Sequence, residues 1–236
     1  MQTKHDEVSS TGNQGILAGT FFNRLSAKAQ LDFGSIAHQS RFSPNVILFL
    51  ENDSSTEIFE VLEGEIKLSL CSSDGKRLIL GIAKKGEIVG LASALSGSPC
   101  EVTAETLCQS KLAVIGRADF HRFLRCHPEA YPAVTLEVTR NYNLACDQLR
   151  TLGLPFTASE KLARLLLSLS QSGKTEECET NVRIPLTHEE IGEFIGATRE
   201  TVSRALSKFR DCHLVTFSGS TLNIPSRLAL EKYASN

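Results

Sequence analysis

The sequence predicts an α+β chain in three consecutive parts: a β-rich N-terminal domain, one long helix, and a C-terminal helical domain closed by a hairpin. Three observations carry this. Between Phe42 and about Ile115, short β-rich runs are separated by turn signals, the pattern of an antiparallel roll or barrel. From Glu129 to about Leu152, one register falls at alternating steps of four and three residues, which a helix satisfies. Residues 186–215, LTHEEIGEFIGATRETVSRALSKFRDCHLV, then read as two short helices joined by a tight turn.

Residues 1–18 carry Ser, Gly and Gln and predict a mobile tail. Phe21 to Ile36 has amphipathic spacing and predicts one or two short helices. The strand candidates follow as VILFLEND, EIFEVLEGEIKLSLC, KRLILGIA, GEIVGL, EVTAETL and SKLAVIG. Asp74-Gly75 is a strong two-residue hairpin signal and Glu63-Gly64 a weaker one. A short helix from Arg117 ends before His127-Pro128. In the long helix Tyr131, Thr135, Val138, Tyr142, Ala145, Leu149 and Leu152 form an a/d seam. Such a seam fits either packing on the chain's own β-domain or pairing with a second helix. Gly153-Leu-Pro155 ends it. The resulting domains are the tail 1–18, the β-domain 19–127, the long helix 128–153 and the helical domain 154–236.

Ser159 to Leu169 predicts an apolar helix that supplies a core for the last domain. Thr187 is placed to N-cap the next helix, with Glu190 completing a capping box. Gly196 stops that helix, since glycine takes the left-handed conformation at little cost. Thr198 caps the following one, in which Val202, Leu206 and Phe209 face inward. Arg199, Glu200, Ser203, Arg204 and Lys208 are left on its outer face. Arg pairs bidentately with guanine O6/N7 and Glu accepts from cytosine N4, so this face suits the DNA major groove. His213 to Ile224 alternates around Ser218-Gly219 as a small hairpin, or wing. Helices plus wing make a winged helix–turn–helix.

The string from Glu190-Ile-Gly through Ile195-Gly-x-Thr198-Arg-Glu-Thr-Val-Ser-Arg204 resembles the DNA-binding motif of the CRP/FNR superfamily of bacterial transcription factors. The resemblance spans about Phe42 to Tyr233. It implies an N-terminal double-stranded β-roll of the cyclic-nucleotide-binding type, and a long helix acting as a parallel dimerisation helix through the seven seam residues. It implies base contacts by Arg199, Glu200, Ser203 and Arg204 on half-sites containing TG-N-GA. Thr187, Ser207 and Lys208, which cap or flank the recognition helix, are the phosphate-contact candidates. The partners are then a palindromic double-stranded operator, a second copy of the chain and, for an activator, RNA polymerase.

Members of this superfamily that bind cyclic AMP use a Gly-Glu pair for the ribose and an Arg-Ser/Thr pair for the phosphate. Here Gly90 matches, but Leu91 replaces the acid, and Cys100 followed by Glu101 stands at the arginine position. Residues 86–110 contain no Arg or Lys. An unpaired anion in a low-dielectric pocket costs several kcal/mol, so the pocket is expected not to bind cyclic AMP. An iron–sulfur cluster is disfavoured too, because the first cysteine is Cys71. Haem ligation stays open through His38, His121 or His127, and redox sensing through Cys100, Cys108, Cys126 or Cys146. No cofactor is predicted. A cyclic-nucleotide-, redox- or haem-responsive regulator of the same family is the alternative.

Net charge is −2, so DNA attraction must be local: residues 199–210 hold Arg199, Arg204, Lys208 and Arg210 against Glu200 alone. The polar start and the absence of an apolar run of membrane-spanning length predict a cytoplasmic protein with no membrane partner. Seven cysteines without a CxxC pair indicate neither a disulfide framework nor a zinc knuckle. A cupin-like enzyme would need alternating metal ligands such as HxH, which the strands lack, so no enzymatic activity is expected.

Overall fold

A computed structural model describes residues 21–170, 175–176, 179–218 and 221–234. The predicted tail 1–18, Cys178 and the wing-turn residue Gly219 lie outside the described residues. The chain divides into two compact units, one running to residue 68 and including 82–142, the other formed by 69–81 and 143–236.

The first unit opens with a 3-10 turn, Phe22–Arg24, and helix α1, Ala27–Ile36. Ser26 caps α1 by accepting the Ala29 N–H at 3.2 Å. The strands are β1 (Ala37–Phe42), β2 (Ile47–Phe49), β3 (Glu57–Glu63), β4 (Ile66–Cys71), β5 (Arg77–Ala83), β6 (Ile88–Val89), β7 (Thr103–Thr106) and β8 (Ser110–Gly116). They form two four-stranded sheets, ordered β1-β8-β3-β6 and β2-β7-β4-β5. β1 pairs antiparallel with β8 from Ala37↔Ile115 to Phe42↔Ser110. This is the expected antiparallel roll.

Two cores hold it. Phe49, Phe59, Val61, Ile66, Ala104 and Leu112 belong to one apolar cluster. The second joins Phe21, Phe33, Ile58, Ala113, Phe120 and Phe123. Phe33 is fully buried, with ring centroids 5.2–6.5 Å from Phe21, Phe22, Phe120 and Phe123. The last two lie on helix α3, Arg117–Cys126.

Three details depart from the sequence reading. β1 was not expected because AHQSRF is mostly polar; only Ala37 of it is buried. The run GEIVGL is a strand for two residues only, since Gly90 turns left-handed at φ +80° and starts helix α2, Leu91–Ser96. The Asp74-Gly75 turn is not a two-residue hairpin. Ser72 N–H bonds to Lys76 O at 2.9 Å and closes a three-residue loop, with Gly75 at φ +80°.

His127, at the end of α3, is a buried clasp. Its Nε2 lies 2.8 Å from Asp32 Oδ2 on α1, its Nδ1 lies 3.1 Å from Glu129 Oε1, and its ring packs on Phe123 at 5.0 Å. The Asp32 hydrogen bond, aided by Glu129, raises the His127 pKa above the ordinary histidine value. A group whose pKa is raised on folding stabilises fully below its unfolded pKa, and that contribution is lost as pH rises through the folded value. Thermal stability should therefore fall as pH climbs from about 6.5 through the elevated value. Asp32→Asn should blunt that slope, which melting curves at several pH values will read.

Pro128–Ala130 forms a 3-10 turn, then helix α4 runs Tyr131–Gly153. Its inner face buries Ala133, Val134, Glu137 and Gln148. The other face carries the seam: Tyr131, Thr135, Val138, Tyr142 and Leu149 are exposed, and Ala145 and Leu152 half-buried. Tyr142 and Leu149 expose 68% and 70% of their surface. Five of the seven seam residues are thus exposed to solvent.

In the second unit, helix α5 (Ala158–Ser170) buries Leu162, Leu165, Leu166 and Leu169. Strands β9 (Thr175–Glu176) and β10 (Glu179–Arg183) follow, then helices α6 (His188–Ile195) and α7 (Arg199–Asp211). Strands β11 (Thr216–Ser218) and β12 (Thr221–Ile224) form the wing, and helix α8 spans Arg227–Ala234. The wing is half of a four-stranded sheet ordered β11-β12-β10-β9. β9, β10 and α8 were not expected. TEECETNVR is too polar to announce strands, and α8 is anchored by distant partners: Arg164 donates to Ala234 O at 2.7 Å and Arg227 to Ser170 Oγ at 2.7 Å.

Candidate nucleic-acid interface

The interface is built by two capped helices and a glycine turn. Thr187 Oγ1 accepts the Glu190 N–H at 3.2 Å, and Glu190 Oε2 accepts the Thr187 N–H at 2.9 Å. Each cap satisfies a donor that the helix cannot. α6 ends at Gly196, left-handed at φ +67°. Gly192 is equally constrained: a Cβ there would lie 2.5 Å from the Ala197 carbonyl oxygen. The turn can close this tightly only because that position has no side chain. Thr198 Oγ1 then accepts the Thr201 N–H at 3.3 Å and starts α7.

α7 buries Val202, Ala205, Leu206 and Phe209. Arg199, Glu200, Arg204, Ser207 and Lys208 are exposed and Ser203 is half-buried. Ser203, Arg204, Ser207, Lys208, Asp211 and Cys212 line an open groove of about 410 Å³. Arg199 and Glu200 sit one turn earlier on the same helix.

Charge states suit base reading. The Glu200 carboxyl is held below the usual range by the backbone N–H it accepts from, then by Thr198, with Arg199 and Arg204 assisting. It is an ionised acceptor at neutral pH. Lys208 is held above its ordinary value, chiefly by its hydrogen bond to Tyr233, and its Nζ stands 5.5 Å from the Tyr233 ring centroid. Thr187 is exposed, but its hydroxyl donates to Glu190 Oε2 at 3.0 Å, so a phosphate would have to displace that carboxylate. Two participants escaped the sequence reading. Tyr233 supports Lys208 from 25 residues away (233 − 208), and His188 Nδ1 lies 2.9 Å from Ser203 Oγ.

Lys208→Ala should weaken binding to all DNA sequences alike. It should also flatten the salt dependence of affinity by roughly one unit of slope, the signature of one lost phosphate contact. Binding isotherms at four salt concentrations will show it; an unchanged slope would remove Lys208 from the interface.

The positions of the nucleotide-binding pairs in the first unit, the effector cassette, carry buried side chains without charge at Leu91 and Cys100. Leu91 is 1% exposed and belongs to the cluster with Phe33, while Cys100 is 2% exposed and packs with Phe49 and Phe59. Cys100 Sγ lies 3.7 Å from Ser93 Oγ. Glu101, beside the buried Cys100, is exposed. Arg140 is paired within its own chain, with Glu87 and with Glu137 at 3.9 Å. Burial lifts the Glu87 carboxyl above its usual value, and Arg140 pulls it back down. Of the histidines beside the roll, His121 Nε2 is 2.8 Å from Ala94 O and both His127 nitrogens face carboxylates; His38 is exposed.

Comparison with known proteins places these two sites in context. A cyclic nucleotide-binding domain matches residues 39–127, and a Crp-like helix-turn-helix domain matches residues 160–233. The nitrogen fixation regulation protein FixK of Bradyrhizobium diazoefficiens is 31% identical over 193 residues, covering 78% of this chain and 76% of that one. The transcriptional activatory protein AadR of Rhodopseudomonas palustris is 29% identical over 178 residues, covering 75% and 73%. Among solved structures, FixK2 from Bradyrhizobium japonicum superposes with a TM-score of 0.76 at 23% identity, over 84% of this chain and 97% of that one.

Proposed function

Because this chain belongs to the CRP/FNR superfamily of transcription regulators, we propose that it binds a palindromic TG-N-GA operator as a homodimer without needing cyclic AMP. The observation that carries the reading is the face of α7, where Arg199, Glu200 and Arg204 project, exposed, from a doubly capped helix–turn–helix. Those side chains are the bidentate and acceptor groups that read guanine and cytosine edges.

Dimerisation is supported by the exposed seam of α4. Apolar side chains at a/d spacing in water gain about 25 cal/mol per Å² when a second helix covers them. Two recognition helices then meet successive major grooves about one helical turn apart. Similarity to the transcriptional activatory protein AadR supports activation, with RNA polymerase as the further partner. No described helix is long and apolar enough to cross a membrane, which accords with a cytoplasmic regulator.

Independence from cyclic AMP is supported by the uncharged, buried Leu91 and Cys100. Leu91 and Cys100 offer neither a ribose acceptor nor a positive charge, and Arg140 is engaged with Glu87. Losing a buried charge-assisted phosphate contact costs about 2–5 kcal/mol, which moves a micromolar ligand toward millimolar. No cofactor is required in this reading. Calorimetry should detect no micromolar cyclic AMP or cyclic GMP binding; a micromolar isotherm would overturn it.

A further inference from the structure

We propose that His188 is a specificity-determining residue of the DNA interface, acting through Ser203: it fixes the direction of the Ser203 hydroxyl, so that Ser203 meets the bases as an acceptor. His188 is the first residue of α6, and Ser203 lies 15 residues on, in the second turn of α7. Their 2.9 Å contact joins the two helices across the turn. Ser203 also lines the groove with Arg204 and Lys208. It therefore stands between the imidazole on one side and the DNA-facing groove on the other.

A serine hydroxyl has one hydrogen and two lone pairs, and a neutral imidazole has one acceptor nitrogen. Two polarities satisfy the contact. Either Ser203 gives its hydrogen to Nδ1 and shows lone pairs to the groove, or Nδ1–H donates and Ser203 turns its hydrogen outward. Arg204 and Lys208 select the first. Two cations beside the groove favour the oxygen facing them; Asp211 lies two turns beyond Ser203, and the Glu200 carboxylate, three residues before Ser203, is engaged at the helix start by its own backbone N–H and Thr198. With its hydrogen spent on His188, Ser203 can only accept.

In the major groove the donors are cytosine N4 and adenine N6, whereas guanine O6 and thymine O4 are acceptors. Ser203 should therefore favour adenine or cytosine at the base it faces. A single neutral hydrogen bond supports a preference of roughly three- to tenfold per half-site. His188→Ala frees the hydroxyl to rotate, so the preference at that base should relax while the rest of the site is read as before. His188→Asn should restore it, because the Asn carbonyl oxygen can accept the same hydrogen.

The inference rests on α7 being the groove-reading helix. The test is the relative affinity of the full-length protein for duplexes carrying every single-base change in one half-site. It compares wild type, His188→Ala, His188→Asn, Ser203→Ala and the His188→Ala/Ser203→Ala double variant. We expect one position, and the same one, to lose its preference in His188→Ala and Ser203→Ala. The double variant should lose no more than either, and His188→Asn should resemble wild type. A uniform loss across all duplexes in His188→Ala would make His188 a scaffold or phosphate residue and overturn the proposal. So would an unchanged preference, or an added loss in the double variant. If wild type shows no sequence preference at all, the DNA-binding reading itself fails, a result distinct from these three.

Discussion

Val138→Asp should leave the protein folded but monomeric in sedimentation and abolish tight operator binding. Val138 exposes 37% of its surface and Leu149 70%, so aspartate at either position stays hydrated in the monomer. Only a second helix on the seam would bury it. Burying an unpaired charge there costs several kcal/mol, enough to dissociate a dimer of ordinary affinity. Operator affinity should then fall by about 10²–10⁴, because the second half-site no longer benefits from a tethered partner. Leu149→Asp should behave alike. Leu31→Asp, a charge placed on the 76%-exposed Leu31 of α1, should change neither property. Dimers persisting in both seam variants would show that another surface makes the contact.

Arg204→Ala should cost about 1–3 kcal/mol on the preferred operator and relax discrimination at one base pair of each half-site. Arg204 is exposed, and its Nη2 makes a long 3.4 Å contact to Thr201 Oγ1. Its removal therefore leaves no buried group unsatisfied, and melting temperature should hold while specificity falls. Arg199→Ala should relax a different base pair. An Arg204→Ala variant that keeps both the wild-type operator affinity and the wild-type discrimination against every single-base change would remove the residue from base reading.

The helix–turn–helix was legible residue by residue because its signals are local. Caps at Thr187 and Thr198, the left-handed Gly196 and the inward Val202, Leu206 and Phe209 all act within a few positions of their own helix. The long helix was legible for the same reason, through its register. What stayed hidden depends on partners far along the chain. β1 is polar in sequence and is a strand because β8 pairs with it some seventy residues later. α8 is pinned by Arg164 and Ser170. The wing's sheet needs β10, whose sequence has no alternation strong enough to announce it. The same limit applied to the interface. The outward arginines could be counted from spacing, whereas the His188–Ser203 and Lys208–Tyr233 pairs required the fold to bring separate elements together. The effector cassette lay between these cases: its missing charges were legible at Leu91 and Cys100, but the exposure of Glu101 was not.

Fluorescence anisotropy of purified protein on a duplex with two TG-N-GA half-sites about one helical turn apart, run with and without millimolar cyclic AMP at fixed salt, tests cyclic-AMP-independent operator binding by the dimer. The expected result is saturation at one dimer per duplex, affinity at least about 10³-fold above a scrambled duplex, and superimposable curves with and without the nucleotide. Preference for the operator that emerges only when cyclic AMP is added, or no preference under either condition, would contradict it.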